Sequence, residues 1–175
     1  MAETTLKIGS AAWSIRFWPD VLGGPMTLDM QLEPYDSDGF AGHVSPATCW
    51  QALSDDAGAE LVDVRTQAEW LYVGLPDLSR LGKQAICVEW QSYPDLQVNL
   101  DFVEQLRPHV GEAGAPLFFI CRSGVRSMAA AREMTAQGHA HCYNVVGGFE
   151  GDTDGYGHRA SVNGWKFADL PWRQN

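Results

Sequence analysis

Several things this chain lacks narrow its reading. No apolar run approaches the ~20 residues that span a bilayer. The opening text, MAETTLKIGSAAWSIRFWPDVLGG, holds no continuous apolar stretch of the kind a secretory leader needs. Both absences predict a soluble, cytoplasmic chain with no membrane partner. Basic charge is short: 12 Lys and Arg face 22 Asp and Glu, for a net charge of -10. That balance argues against nucleic acid as a partner, because neutralising phosphates takes clustered Lys and Arg. A small basic pocket remains compatible with it. Cysteine is scarce as well. Cys49, Cys87, Cys121 and Cys142 form no CxxC pair, so a zinc ribbon and a thioredoxin-type motif are excluded. Four cysteines in 175 residues make no disulfide scaffold. Internal repeats are absent.

Sustained periodicity is missing from residues 1–41, where WPDVLGGPM and EPYDSDGF are rich in turn formers. This segment is expected to be a poorly structured N-terminal arm. Trp13, Phe17 and Trp18 would let it dock on a surface, and plain disorder is the other reading. Met26 or Met30 would serve as an alternative start. Residues 42–175 are expected to form one domain with its own core.

There the text becomes regular. Ser45 caps and Pro46 opens a predicted helix in HVSPATCWQAL. AELVDVR, QAICVEW, APLFFIC and HCYNVVGG are short apolar runs that suit buried strands. Helical spacing lies between them: TQAEWLY capped by Thr66, NLDFVEQLRPHV from Asn99 with Pro108 shortening it, and RSMAAAREMTAQG ended by Gly138. NGWKFADLP is expected to be a last helix. Strands alternating with helices predict an α/β fold, a parallel sheet with helices on both faces. Ligands in such sheets bind beyond the carboxyl ends of the strands.

Cys121 stands at one of those ends, in LFFICRSGVRSMAAA. The loop of Arg122, Ser123, Gly124, Val125 and Arg126 is short enough to curl its backbone N–H groups inward, and Gly124 supplies the freedom the curl needs. A helix follows at once, so its N-terminus favours a thiolate over a thiol. Arg122 and Arg126 add positive charge for an anionic substrate; Ser123 and Ser127 add hydroxyls. The alternative is an inert buried cysteine at a strand end.

Two chemistries use a cysteine placed this way, phosphate-ester hydrolysis and sulfur transfer. Protein tyrosine phosphatases separate Cys from Arg by five residues and carry His before the Cys. Here Arg126 follows Cys121 after four residues, Ser127 takes the sixth position, and Ile120 precedes the cysteine. The loop is one residue short for cradling a phosphoryl group and suits a single sulfur atom.

AELVDVRTQAEW, FFICRSGVRSMAAA, YNVVGGFEG and GWKFADLPW together resemble the rhodanese-like domains, single-domain sulfurtransferases, over about Val44 to Trp172. The resemblance implies a parallel α/β sheet and a persulfide on Cys121. It further implies transfer of sulfur from a donor such as thiosulfate to a thiol or cyanide acceptor, with no cofactor and no metal. Asp63 and Arg65 match that family's structural acid and base near the loop. Two departures bear on substrate: VGLPDL at Val73–Leu78 replaces GHIPGA, and an extra stretch runs from Glu150 to Asn163. That stretch is a candidate specificity loop, Gly-rich and mobile, in which His158 and Arg159 would meet an anionic donor.

Other candidates are weaker. His139, His141 and Cys142 are adjacent, but strand alternation sends His141 and Cys142 to opposite faces, which favours a core thiol over metal. Cys49 and Cys87 suit packing. Asp63 is either a catalytic acid or a brace paired with Arg65 or Arg126, and the tryptophans suit core and edge packing. The expected function is a sulfurtransferase taking a small anionic donor and a thiol acceptor, small or protein-borne. Its rivals are a persulfide carrier or interaction module with little turnover of its own, and a cysteine phosphatase.

Overall fold

The computed structural model describes residues 3–8, 11–16, 39–111 and 114–174. The chain divides into two units, residues 1–33 and 34–175. In the first, β1 (Glu3–Ile8) pairs antiparallel with β2 (Ala11–Arg16), Glu3 opposite Arg16 and Ile8 opposite Ala11. Sequence patterning pointed to no strand here. Phe17, Trp18, Met26 and Met30 lie outside the described residues.

In the second unit, β3 (Gly42–Val44) leads into α1 (Pro46–Asp55), and β4 (Glu60–Asp63) into α2 (Gln67–Tyr72) and β5 (Leu75–Pro76). A 3-10 turn at Ser79–Leu81 precedes β6 (Ile86–Cys87). The short hairpin of β7 (Gln91–Ser92) and β8 (Gln97–Val98) precedes α3 (Phe102–Leu106). Then come β9 (Leu117–Ile120), α4 (Val125–Ala136), β10 (Cys142–Val145) and β11 (Trp172–Arg173), the last antiparallel to β5. The central sheet has five parallel strands in the order β3-β10-β9-β4-β6. No helix among the described residues is long and apolar enough to cross a membrane.

The apolar run LFFI explains the layering. Every residue of β9 is buried because helices cover both faces of its sheet. Leu117 and Phe119, with Val62 and Val64, pack against Phe102 and Leu106 of α3 and Ala130, Ala131 and Met134 of α4. Phe118 and Ile120, with Leu61 and Val145, pack on the other face against Cys49 and Leu53 of α1 and against Phe149 and Trp165. The core reaches back to Phe40 and Ala41, both buried.

Local signals explain the helix ends. Ser45 accepts the Thr48 N–H at 3.0 Å with Pro46 opening α1. α3 starts at Phe102, later than Asn99, and after Leu106 it tightens into a 3-10 turn through Pro108. The helix expected at NGWKFADLP does not form; that text makes turns. It closes one turn, the Ala168 N–H reaching the Gly164 carbonyl at 3.0 Å, and stops where Asp169 takes a left-handed φ of 54° and the Leu170 N–H reaches the Trp165 carbonyl at 3.3 Å. The Trp165 and Lys166 N–H groups, which lack partners within that turn, reach the Gly148 and Phe149 carbonyls at 2.7 and 3.1 Å. Cys87, expected to pack in a strand interior, is exposed on the two-residue edge strand β6.

At the carboxyl end of β4, Asp63 and Arg65 form a wholly buried pair. Arg65 Nη2 lies 2.6 Å from Asp63 Oδ2, and Arg65 Nε lies 2.9 Å from Asp63 Oδ1. Arg65 also donates to the Gly74 carbonyl at 2.7 Å and stacks 4.0 Å from the Phe149 ring. Asp63 is thus paired with Arg65 and not with Arg126. One charge left alone in this core is strongly unfavourable. Asp63→Asn is expected to lose about 3–5 kcal/mol of stability in urea unfolding, with Arg65→Met similar or smaller. Loss of less than about 1 kcal/mol from Asp63→Asn would show that the pair does not brace β4.

Candidate active site

Cys121 follows β9 directly and is 1% exposed. Its Sγ accepts from the Gly124 N–H at 3.1 Å and lies 3.2 Å from Ser127 Oγ. Gly124 caps α4 with φ of 107°, a backbone setting that L side chains rarely adopt. The sulfur therefore sits beneath the first turn of α4, where backbone donors and the helix dipole favour negative charge. Burial pushes the Cys49 thiol far above the ordinary thiol range and Cys142 up to about 11. Cys87 is exposed as a residue, but partial desolvation of its thiol, with the Asp63 charge adding to the effect, pushes it up to about 12. None of those three favours its thiolate.

The outer side of the loop is held by the chain leaving β10. The Phe149 N–H meets the Cys121 carbonyl at 2.7 Å, and the Glu150 and Gly151 N–H groups meet the Arg122 carbonyl at 3.0 and 3.2 Å. In a planar trans peptide, carbonyl and following N–H point opposite ways. With the carbonyls of Cys121 and Arg122 turned toward this strap, the N–H groups of Arg122 and Ser123 point away from it. Gly148 permits the approach: its φ is 57°, and a Cβ there would stand 2.7 Å from Arg122 C and Ser123 N.

Arg126 does not stand as an open cation. Its Nη1 and Nη2 make a two-pronged bond to Glu69 Oε2 and Oε1 at 2.8 and 2.7 Å. Glu69 also closes the capping box of α2, accepting from the Thr66 N–H at 2.9 Å. Burial alone would raise the Glu69 carboxyl, but the Arg126 and Thr66 bonds and the Arg126 charge outweigh it and hold it at about 2. Arg126 is raised in turn: burial works against its charge, the Glu69 bond prevails, and Cys121 and Asp63 add to it. Arg122 and Val125 are exposed on the rim, and Ser123 is half-buried.

The structure thus gathers Cys121, Gly124 and Ser127 at the sulfur and ties Arg126 to Glu69. It places Asp63 and Arg65 on the neighbouring strand end, Asp63 opposite Ile120. His158 and Arg159 belong to a segment tied to itself. Asp154 accepts from the Tyr156 and His158 N–H groups, each at 2.9 Å, and from the Ser161 hydroxyl. Arg159 donates to the Gly151 carbonyl, and the His158 ring points outward. The segment borders the active loop through Glu150 and Gly151. His141 is exposed and Cys142 buried, as alternation requires, and Cys142 donates to the His139 carbonyl at 3.2 Å.

Three residues tied to the site were not singled out from sequence: Glu69, and Asn144 and His43, which continue the hydrogen bonds of Ser127 at 2.7 and 3.0 Å. Glu69 had a signal, the Thr66-x-x-Glu69 spacing of a capping box. Asn144 had a faint one, an amide inside the buried strand CYNV. His43 had none.

The Glu69 carboxyl, ordinarily near 4.5, is depressed in the folded state, so its contribution is whole above about pH 4.5 and is lost as pH falls toward 2. After allowance for partial exposure it is of the order of 2 kcal/mol. Wild type and Glu69→Gln are expected to differ by that amount in urea unfolding near neutrality and to converge as pH falls toward 2. A difference that does not shrink in acid would contradict the tie.

Comparison with known proteins follows the same lines. The family model of the STR4 middle domain matches residues 41–175. Uncharacterized protein RC0915 of Rickettsia conorii is 36% identical over 131 residues, 75% of this chain and 96% of that protein. The crystal structure of Rv0390 from M. tuberculosis superposes with a TM-score of 0.73 at 46% identity, over 78% of this chain and 99% of that one. The solution structure of a polysulfide-sulfur transferase homodimer from Wolinella succinogenes gives a TM-score of 0.50 at 18% identity over 76% of this chain and 78% of that one, a likeness of fold alone. The chloroplastic thylakoid rhodanese-like protein of Oryza sativa subsp. indica is 28% identical over 132 residues, 75% of this chain and 25% of its own length. The matching family model is therefore that of the STR4 middle domain and not one for rhodaneses, while the fold is rhodanese-like. This chain belongs to the STR4 middle-domain family.

Proposed function

We propose that this chain is a rhodanese-like sulfurtransferase that carries sulfur as a persulfide on Cys121. The observation that carries the reading is the setting of Sγ: a backbone donor at 3.1 Å and a hydroxyl at 3.2 Å, under the head of α4. The Cys121 thiolate attacks the outer sulfur of a donor such as thiosulfate. The donor's S–S bond breaks, its electron pair leaves with the remaining anion, and a new S–S bond forms on Cys121. An acceptor thiolate, or cyanide, then attacks that outer sulfur and returns Cys121 as thiolate. This is two-step nucleophilic catalysis in which fixed donors hold the negative charge throughout. It calls for neither metal nor organic cofactor.

Charge placement supports small anionic donors. Because Glu69 balances Arg126, the exposed Arg122 is left to draw the donor and ease departure of its anion. Burial of Sγ favours donors that offer a small terminal atom. The four-residue step from Cys121 to Arg126 supports sulfur over phosphate, and its tie to Glu69 adds to this by withholding the guanidinium from a phosphoryl group. Four free thiols support a reducing compartment, the cytoplasm. The net charge of -10 speaks against nucleic acid as the acceptor's carrier.

In a thiosulfate-to-cyanide assay, Cys121→Ser is expected to abolish transfer, whereas Cys49→Ser, Cys87→Ser and Cys142→Ser keep most of it. Aryl phosphate hydrolysis by the native protein is expected to be negligible beside sulfur transfer. Substantial transfer by Cys121→Ser, or comparable phosphatase activity, would defeat the proposal.

A further inference from the structure

The hydrogen bonds at Cys121 continue away from the sulfur. Ser127 Oγ, 3.2 Å from Cys121 Sγ, lies 2.7 Å from Asn144 Oδ1. Asn144 Nδ2 lies 3.0 Å from His43 Nδ1. Cys121, Ser127 and Asn144 are buried, and His43 is exposed. Four side chains thus join a buried sulfur to a ring at the surface. The topology assembles them: Ser127 lies in the first turn of α4, and Asn144 of β10 stands opposite His43 of β3.

Counting hydrogens gives this chain a direction. Ser127 has one hydroxyl hydrogen and two neighbours able to take it. With Cys121 as a thiol, S–H donates to Ser127 Oγ, the hydroxyl donates to Asn144 Oδ1, and the amide donates to an unprotonated His43 Nδ1. With Cys121 as a thiolate, the hydroxyl must turn to Sγ. Asn144 Oδ1 then loses its donor, and a buried acceptor left unpaired is unfavourable. Turning the amide over restores every bond. Nδ2 then donates to Ser127 Oγ, and Oδ1 accepts from His43, provided that Nδ1 carries a proton. The two ends of an amide have nearly the same shape, so the turn disturbs packing little.

We infer that Ser127, Asn144 and His43 form a reversible hydrogen-bond chain through which a proton on His43 Nδ1 stabilises the Cys121 thiolate. Asn144 and His43 are positioning residues that act through Ser127, and the inference rests on Cys121 being the reactive thiol proposed above. No proton passes along the chain: Cys121 gives its proton to solvent, and His43 takes its own from solvent. Other charges surround the two ends. Arg126, balanced by Glu69, and Asp63 act near Cys121. The Phe40 ring meets His43 edge-on at 5.1 Å, and Arg132 of α4 stands 5.6 Å from that ring. Tyr143 flanks Asn144 on β10, and His43 and Arg132 each make a further interaction. These groups act on each end separately; the hydrogen bonds make the ends depend on each other.

The test is the rate of Cys121 alkylation by iodoacetamide, followed on the Cys121 peptide by mass spectrometry from about pH 5 to 10. His43→Ala, at an exposed position, is expected to react about fivefold slower than wild type at the acidic end of that range, the factor of one net hydrogen bond. At the alkaline end the two should react alike. Asn144→Leu leaves Ser127 free to serve Sγ and should make the curve indifferent to His43→Ala. If His43→Ala keeps the rates of wild type, the chain is overturned, whether or not Asn144→Leu folds. If Cys121 of the wild type resists alkylation throughout, it is the reading of the site that fails.

Discussion

Two backbone hydrogen bonds hold the site in shape: Phe149 N–H to the Cys121 carbonyl at 2.7 Å and Glu150 N–H to the Arg122 carbonyl at 3.0 Å. They fix which way the first peptides of the active loop face. Carbonyls turned outward mean N–H groups turned from the strap, and a loop of four residues has no slack to undo this. Only a glycine at 148 lets the strap come this near, since any Cβ there would run into the Arg122–Ser123 backbone. The geometry around Sγ therefore depends on a segment more than twenty residues further along the chain.

The same strap links the loop to the rest of the fold. Phe149 lies against the Arg65 guanidinium at 4.0 Å, and Arg65 is locked to Asp63 at the end of β4. Trp165 and Lys166 bind back to Gly148 and Phe149. Glu69 ties α2 to α4 through Arg126. Three strand ends, two helix starts and one strap thus converge on Cys121. Most of the binding groups are charged or backbone donors, whose direction matters more than their number.

Much of this was legible in the sequence, for reasons that can be named. The strands of the parallel sheet are covered on both faces, so they appear as short apolar runs such as LFFI. α1 and α4 carry their own start and stop signals in Ser45-Pro46, Gly124 and Gly138. The Cys121 loop stood out because a thiol at a strand end before a helix is an unusual placement with a chemical use. What escaped was long-range pairing. Nothing local told Arg126 to choose Glu69, or Asn144 to stand opposite His43; register across β3 and β10 decides the second. NGWKFADLP has helical spacing, yet it stops after one turn at Asp169, whose φ is 54°. Likewise β6 is too short to bury Cys87. The fold class follows from periodicity, whereas the partners of polar side chains follow from topology.

The central claim is that Cys121 takes up and holds one sulfur atom. Intact mass spectrometry of the native protein after thiosulfate treatment and desalting measures this directly. The account predicts a gain equal to one sulfur atom, located on the Cys121 peptide, removed by cyanide and absent from Cys121→Ser. No mass gain on Cys121, or a gain that persists in Cys121→Ser, would contradict it.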